Sequence, residues 1–108
     1  MVEYTLSLNF IFGSLADPTR RDILKRVAKI ELSVNEIAQP YGLTLAAISK
    51  HLRVLEKAKL IRKRRHGKQQ FVQLSPVAFK NAANYLEYYR SLWDDRFDSL
   101  EHYLKEEN

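Results

Sequence analysis

The chain has no cysteine in 108 residues, and only three glycines, three prolines and one tryptophan. Without cysteine there are no disulfides, no thiolate metal sites and no thiol redox sensing, which fits a reducing cytoplasm. The glycines are scattered, so the chain lacks the glycine-rich cradle that holds a phosphate in nucleotide-binding proteins. The first residues lack the basic stretch and long apolar core of a secretory signal. No apolar run approaches the ~20 residues of a membrane span, so no membrane partner is expected. Acidic residues are also missing where they would matter most. Residues 50–68 hold nine of the 18 Lys and Arg and one acid, Glu56, whereas residues 1–49 balance five of each sign and residues 69–108 are net acidic. A solvated lysine-rich surface usually carries its own acids. A cationic stretch without them is the electrostatic footprint of a polyanion site.

What is present describes one globular domain spanning residues 1–108, with 45% hydrophobic and 29% charged residues. Its organising stretch is Thr44 to Lys57. On a helical wheel Leu45, Ile48, Leu52 and Leu55 fall on one face, and Ala46, Ser49, Lys50, Arg53 and Lys57 on the other. Thr44 is a suitable N-cap. The leading turn carries short side chains, as a helix must if it is to approach base edges in a DNA major groove. His51 falls near the edge of the buried face, where a packing or structural hydrogen-bond role is expected rather than base reading.

Around that helix the pattern is mainly α with one β-hairpin, a winged helix-turn-helix. Helices are expected over residues 3–15, 18–30, 34–39, 45–58 and 76–105, with a hairpin over 60–74. The first helix holds Leu6, Leu8, Phe10, Ile11, Phe12 and Leu15, apolar on nearly every face. Asp17-Pro18 supplies an N-cap and a first-position proline, with Ile23, Leu24, Val27 and Ile30 as an inward stripe. Ser33-Val34-Asn35-Glu36 is a capping box. Ala38, Gly42 and Ile48 stand where a helix-turn-helix wants a small residue, a turn former and a β-branched core residue. Gly67-Lys68 between two extended segments predicts a two-residue hairpin loop with a basic tip. Ser75-Pro76 then opens a long last helix. Phe79, Ala83, Leu86, Trp93, Phe97, Leu100 and Leu104 recur along it, widened by Tyr85, Tyr88, Tyr89 and Tyr103. The first and last helices carry more apolar surface than one small domain hides. A homodimer is therefore expected, with Phe10, Phe12, Leu86, Trp93, Phe97 and Leu100 at its interface.

Three segments together resemble the ArsR-type winged-helix repressors. Leu15-Ala16-Asp17-Pro18-Thr19-Arg20-Arg21 is similar to the family's opening signature. Ile48-Ser49-Lys50-His51-Leu52, followed by Val54-Leu55, is similar to its recognition-helix core, and Arg64-Arg65-His66-Gly67-Lys68 occupies the place of its wing. The resemblance spans the chain from the first helix to the last. It implies a dimeric bacterial or archaeal repressor on an operator that overlaps a promoter. It also implies groove contacts from Thr44, Ala46, Ala47, Ser49 and Lys50, with wing contacts from Arg64, Arg65, His66 and Lys68. The wheel adds Arg53 for a phosphate. The chain departs from the metal-sensing members, which carry cysteines where it reads Glu31-Leu32-Ser33-Val34-Asn35-Glu36-Ile37. Its last helix has one histidine, His102, near Asp98 and Glu101. The resemblance thus implies a member with no inducer metal. No cofactor is expected, and the inducer is not specified by the residues.

Other functions fit less well. Ser49 and His51 point about 200° apart on a helix, so they form no nucleophile–base pair. Asp94, Asp95 and Asp98 are an ordinary solvated acidic face, and no enzymatic activity is expected. The alternative to double-stranded DNA is a winged helix that docks proteins or RNA. A protein-docking member would be expected to lose the basic bias of the Thr44 helix and hairpin. Duplex RNA has a major groove too deep and narrow to admit the helix.

Overall fold

A computed structural model describes residues 2–107, with side chains described for residues 7–106. The chain runs α1 (Val2–Leu15), α2 (Pro18–Val27), β1 (Leu32–Ser33), α3 (Val34–Ala38), α4 (Leu45–Lys57), β2 (Ile61–His66), β3 (Gln69–Leu74) and α5 (Pro76–Glu107). The side chain of Leu6, one of the apolar residues expected on the first helix, lies outside the described residues. Every expected helix and the hairpin are present.

Helix starts follow the capping chemistry. The Asp17 carboxylate accepts from the Arg20 amide at 2.9 Å, with Pro18 at the first helical position. At α3 the Glu36 amide donates to Ser33 Oγ at 3.1 Å, and the Ser33 amide donates to Glu36 Oε1 at 2.9 Å. This closes the capping box. Thr44 Oγ1 accepts from the Ala47 amide at 3.1 Å. At the other end of α4 the Leu60 amide returns to the Leu55 carbonyl and the Lys59 amide to Glu56. That Schellman pattern needs a left-handed residue, and Lys59 takes it at φ 61°.

Two expectations are corrected here. α2 ends at Val27, three residues short of the predicted span, and Ile30 is 64% exposed rather than part of the inward stripe. The chain leaves the helix early because it must turn into β1, which the sequence reading did not include. β1 pairs antiparallel with β3, Leu32 opposite Val72 and Ser33 opposite Phe71, so the hairpin is part of a three-stranded sheet ordered β1-β3-β2. A two-residue strand has no periodicity to read. The hairpin itself pairs Ile61 with Leu74 through to His66 with Gln69. Its two-residue loop opens on Gly67 at φ 63°, a conformation that costs glycine nothing.

The core lies where α1, α2, α3, α4 and the sheet converge on Ile11, Ile23, Ile37, Ile48, Leu52, Leu55, Leu60, Ile61 and Val72. Arg26 fastens α2 to α3, donating to the carbonyls of Ile37 at 2.8 Å and Glu36 at 2.9 Å. Its guanidinium lies 5.3 Å over the Tyr41 ring, and the Tyr41 hydroxyl donates to Asp22. Thus α2 anchors both α3 and the turn before α4. α5 joins this core only through its first turns. Ala78 and Ala82 are buried and Phe79 and Tyr85 half-buried, whereas Ala83, expected on the packed stripe, is exposed. Residues 86–106 are all exposed, and the molecule measures 66 × 34 × 20 Å because this helix runs past the domain.

Candidate nucleic-acid interface

α4 is held from three sides. Ile48, Leu52 and Leu55 go into the core. On a second flank His51 Nδ1 lies 3.3 Å from Arg20 Nη1 and 3.9 Å from Asp17 Oδ2. Arg20 in turn donates from Nε to the Ser14 carbonyl at 2.7 Å and from Nη2 to the Gly13 carbonyl at 3.3 Å. One guanidinium therefore closes the end of α1, sits in the first turn of α2 and meets a histidine of α4. The Asp17 carboxyl lies below its usual range, chiefly through the Arg20 amide bond, with the Arg20 charge adding to it. On the third side Glu56 pairs with Lys63 of β2 at 3.5 Å. His51 is thus a brace for α4 and not part of its solvent face.

The face left open carries Ala46, Lys50, Arg53 and Lys57, all exposed, with Ala47 and Ser49 half-exposed at its edges. Thr44 is exposed as well, its hydroxyl engaged as the helix cap. The Lys57 ammonium sits 4.8 Å over the Phe10 ring of α1. Among the described residues, Lys50, Arg53, Arg65 and Lys68 have no ion-pair partner. His66 lies exposed beside the Phe71 ring at 6.5 Å between centroids.

Arg64 differs from its neighbours. Its guanidinium grips Glu31 with two bonds, 2.7 Å from Nη2 and 3.2 Å from Nε, and lies 5.5 Å over the Phe71 ring. The hydrogen bonds between them, with the opposite charges adding, hold the Glu31 carboxyl below and the Arg64 guanidinium above their usual ranges. Arg64 is tied to the segment before β1, whereas Arg65 and Lys68 point an unpaired charge into solvent.

Leu45 is the residue that the wheel misplaced. It was expected on the buried face with Ile48, yet it is 54% exposed, and Leu43 beside it is 45% exposed. The first turn of α4 extends past the core, and an open hollow separates Leu45 from α3. The arrangement as a whole is a projecting helix with an apolar leading turn, cations behind it and a cationic hairpin tip. Such a surface can place a helix in a major groove and neutralise phosphates on either side.

Among the described residues no cluster of three or more His, Asp or Glu side chains is placed to hold a metal ion, and the ion pair of His102 is with Glu106 at 2.9 Å. No helix among them is long and apolar enough to cross a membrane.

Comparison with known proteins agrees with this geometry. Residues 15–64 match the family described as a helix-turn-helix domain. The HTH-type transcriptional regulator KmtR of Mycobacterium tuberculosis (strain ATCC 25618 / H37Rv) is 42% identical over 64 residues, covering 59% of this chain and 49% of that protein. This chain thus matches about half the length of that curated relative. The transcriptional repressor SdpR of Bacillus subtilis (strain 168) is 28% identical over 79 residues, 73% of this chain and 88% of that one. A crystal structure of an ArsR family transcriptional regulator superposes with a TM-score of 0.78 at 32% identity, covering 83% of this chain and 93% of that chain.

Proposed function

The chain belongs to the ArsR family of winged helix-turn-helix transcriptional regulators, and from that premise we propose that it is a cytoplasmic, homodimeric repressor of an inverted-repeat operator. The family is one of DNA-binding regulators and not of enzymes. The observation that carries the proposal is the open face of α4, where Lys50 and Arg53 stand unpaired behind a slim leading turn, beside a hairpin tip with Arg65 and Lys68 unpaired as well.

Two copies related by a two-fold axis present two α4 helices to successive major grooves, about 34–36 Å apart. Lys50, Arg53, Arg65 and Lys68 contact phosphates, and Ala46, Ala47, Ser49 and Lys50 face base edges. The second copy seats on α5. Leu86, Trp93 and Leu100 recur every seven residues on its overhanging part, with Phe97 and Leu104 alongside, all exposed in one chain. A seven-residue apolar seam suits a partner helix crossing at a shallow angle. Phe12 supports it from below by packing 5.8 Å from Tyr85, whereas Phe10, half-exposed on α1, lies under Lys57 of α4 and joins the interface only if the partner reaches that side. Occupation of the operator blocks polymerase.

Competition between matched duplexes is the test. Duplex DNA recovered from a randomised library displaces a labelled DNA probe, and duplex RNA of the same sequence does not. Lys50→Ala narrows the gap between the recovered sequence and a scrambled one by about 1–3 kcal/mol. RNA competing as well as DNA, or no duplex retained at low salt, makes the chain an RNA- or protein-docking module instead.

A further inference from the structure

We infer that the leading turn of α4 recognises thymine by its methyl group, so that each half-site bound by this chain places a thymine against Leu45 in the major groove. The inference rests on the DNA-binding function proposed above and names the base chemistry that its reading turn accepts.

Around the helix Leu45 stands about 20° from buried Leu52 and about 60° from buried Ile48, on the flank of Ser49 and away from His51, and it is exposed because it lies nearer the helix start than either. The His51 flank is closed by Arg20 and the opposite flank, farther along the helix, by the Glu56–Lys63 pair, so Leu45 is free to enter a groove because it stands in the first turn, at the exposed leading end of α4. A single exposed leucine is ordinary at a protein surface. Here Leu43 and Leu45 are exposed together, at the tip that a groove would admit, with two unpaired cations one and two turns behind. Those cations draw in the phosphates that flank a major groove, which commits the apolar tip to a duplex.

The chemistry of the turn then selects the base. Guanine is read by Arg or Lys, adenine by Asn or Gln, and thymine offers an apolar 5-methyl group. The sequence Thr44-Leu45-Ala46-Ala47 contains none of the first four residue types. The Thr44 hydroxyl already accepts the Ala47 amide. The feature of a base edge that this turn complements is therefore the methyl group. An open hollow of about 450 Å³ beside Leu45 has Ala38, Gly42 and Leu43 in its wall together with Asn35, Glu36 and Gln39 of α3 and its end, so the apolar tip is bordered by polar groups on that side.

The test removes the methyl group and nothing else. A duplex is recovered from a randomised library by binding to the full chain, and each thymine of its half-sites is replaced by uracil in turn. One position per half-site is expected to weaken binding about fourfold, the factor for one buried carbon group. Leu45→Ala is expected to abolish that penalty while leaving the salt dependence of binding and the sedimentation of the free protein unchanged. Uracil tolerated at every position, or a penalty that survives in Leu45→Ala, overturns the inference and leaves DNA binding standing. Recovery of no duplex at all overturns the DNA-binding function and this inference together.

Discussion

Arg64 and Arg65 are adjacent in sequence and identical in type, yet their surroundings assign them different work. Strand alternation sends them to opposite faces of the sheet. Arg64 meets Glu31, 33 residues away, and Arg65 meets solvent. Arg65→Ala should therefore weaken every duplex about equally and flatten the log–log salt slope by about 0.9, the value of one neutralised phosphate. Arg64→Ala should change that slope by less, because its charge is already matched by Glu31. Titrations of both variants across a range of salt concentrations measure this directly. Equal slope changes would show that Arg64 leaves Glu31 on binding. His51 and Arg20 make the same point with another pair: a residue in the middle of α4 owes its position to a guanidinium that belongs to α2.

At the scale of elements, the starts of α2, α3 and α4 are governed by a carboxylate or hydroxyl placed on free amides. Asp17 caps α2, and its carboxyl is held down chiefly by the Arg20 amide. Glu36 is held down by the Ser33 amide. A folded-state value below the unfolded one means that the stabilisation is fully present above the unfolded value. It is lost as pH falls through the folded value. Asp17→Ala should cost about 1 kcal/mol at neutral pH, the usual worth of a cap, and should remove part of the acid sensitivity of unfolding. Asp17→Asn retains the capping oxygen without the charge. It should keep more of the neutral-pH stability than alanine does and show the same flattening of the acid limb. Urea unfolding at pH 7 and at successively lower pH distinguishes the two. An acid limb unchanged in both variants would assign the pH dependence to Glu36 and the other carboxylates.

The whole molecule is defined by the mismatch between a small core and a 32-residue last helix, about 48 Å long. The core uses Ala78 and Ala82 from the first turns, and residues 86–106 lie outside it. Trp93 and Phe97 touch each other at 5.8 Å between ring centroids, and Arg96 lies 6.0 Å over the Trp93 ring. If a second copy covers this seam, Trp93→Glu buries a charge without a partner, at a cost of several kcal/mol. Sedimentation should then show a folded monomer. DNA affinity should fall with it, since one half-site alone binds weakly. An unmodified protein that sediments as a folded monomer at micromolar concentration refutes this assembly.

The sequence by itself determined whatever is settled within a turn or two of the chain. Caps act over three residues, so Asp17, Ser33, Thr44 and Ser75-Pro76 announced the helix starts. The loop chemistry of Gly67 announced the hairpin, and nine cations against one acid announced the charged face. The helix-turn-helix was legible because Ala38, Gly42 and Ile48 are spaced by the geometry of one short motif. Tertiary structure decided what depends on partners far along the chain. Leu32-Ser33 became a strand because β3 lies beside it, and α2 ended early to reach it. Arg64 was drawn from the set of free cations by Glu31, and His51 was given to Arg20. A helical wheel gives the direction in which Leu45 points but not whether anything lies there. The core ends before the first turn of α4 does, and that boundary left a leucine in solvent at the tip of α4.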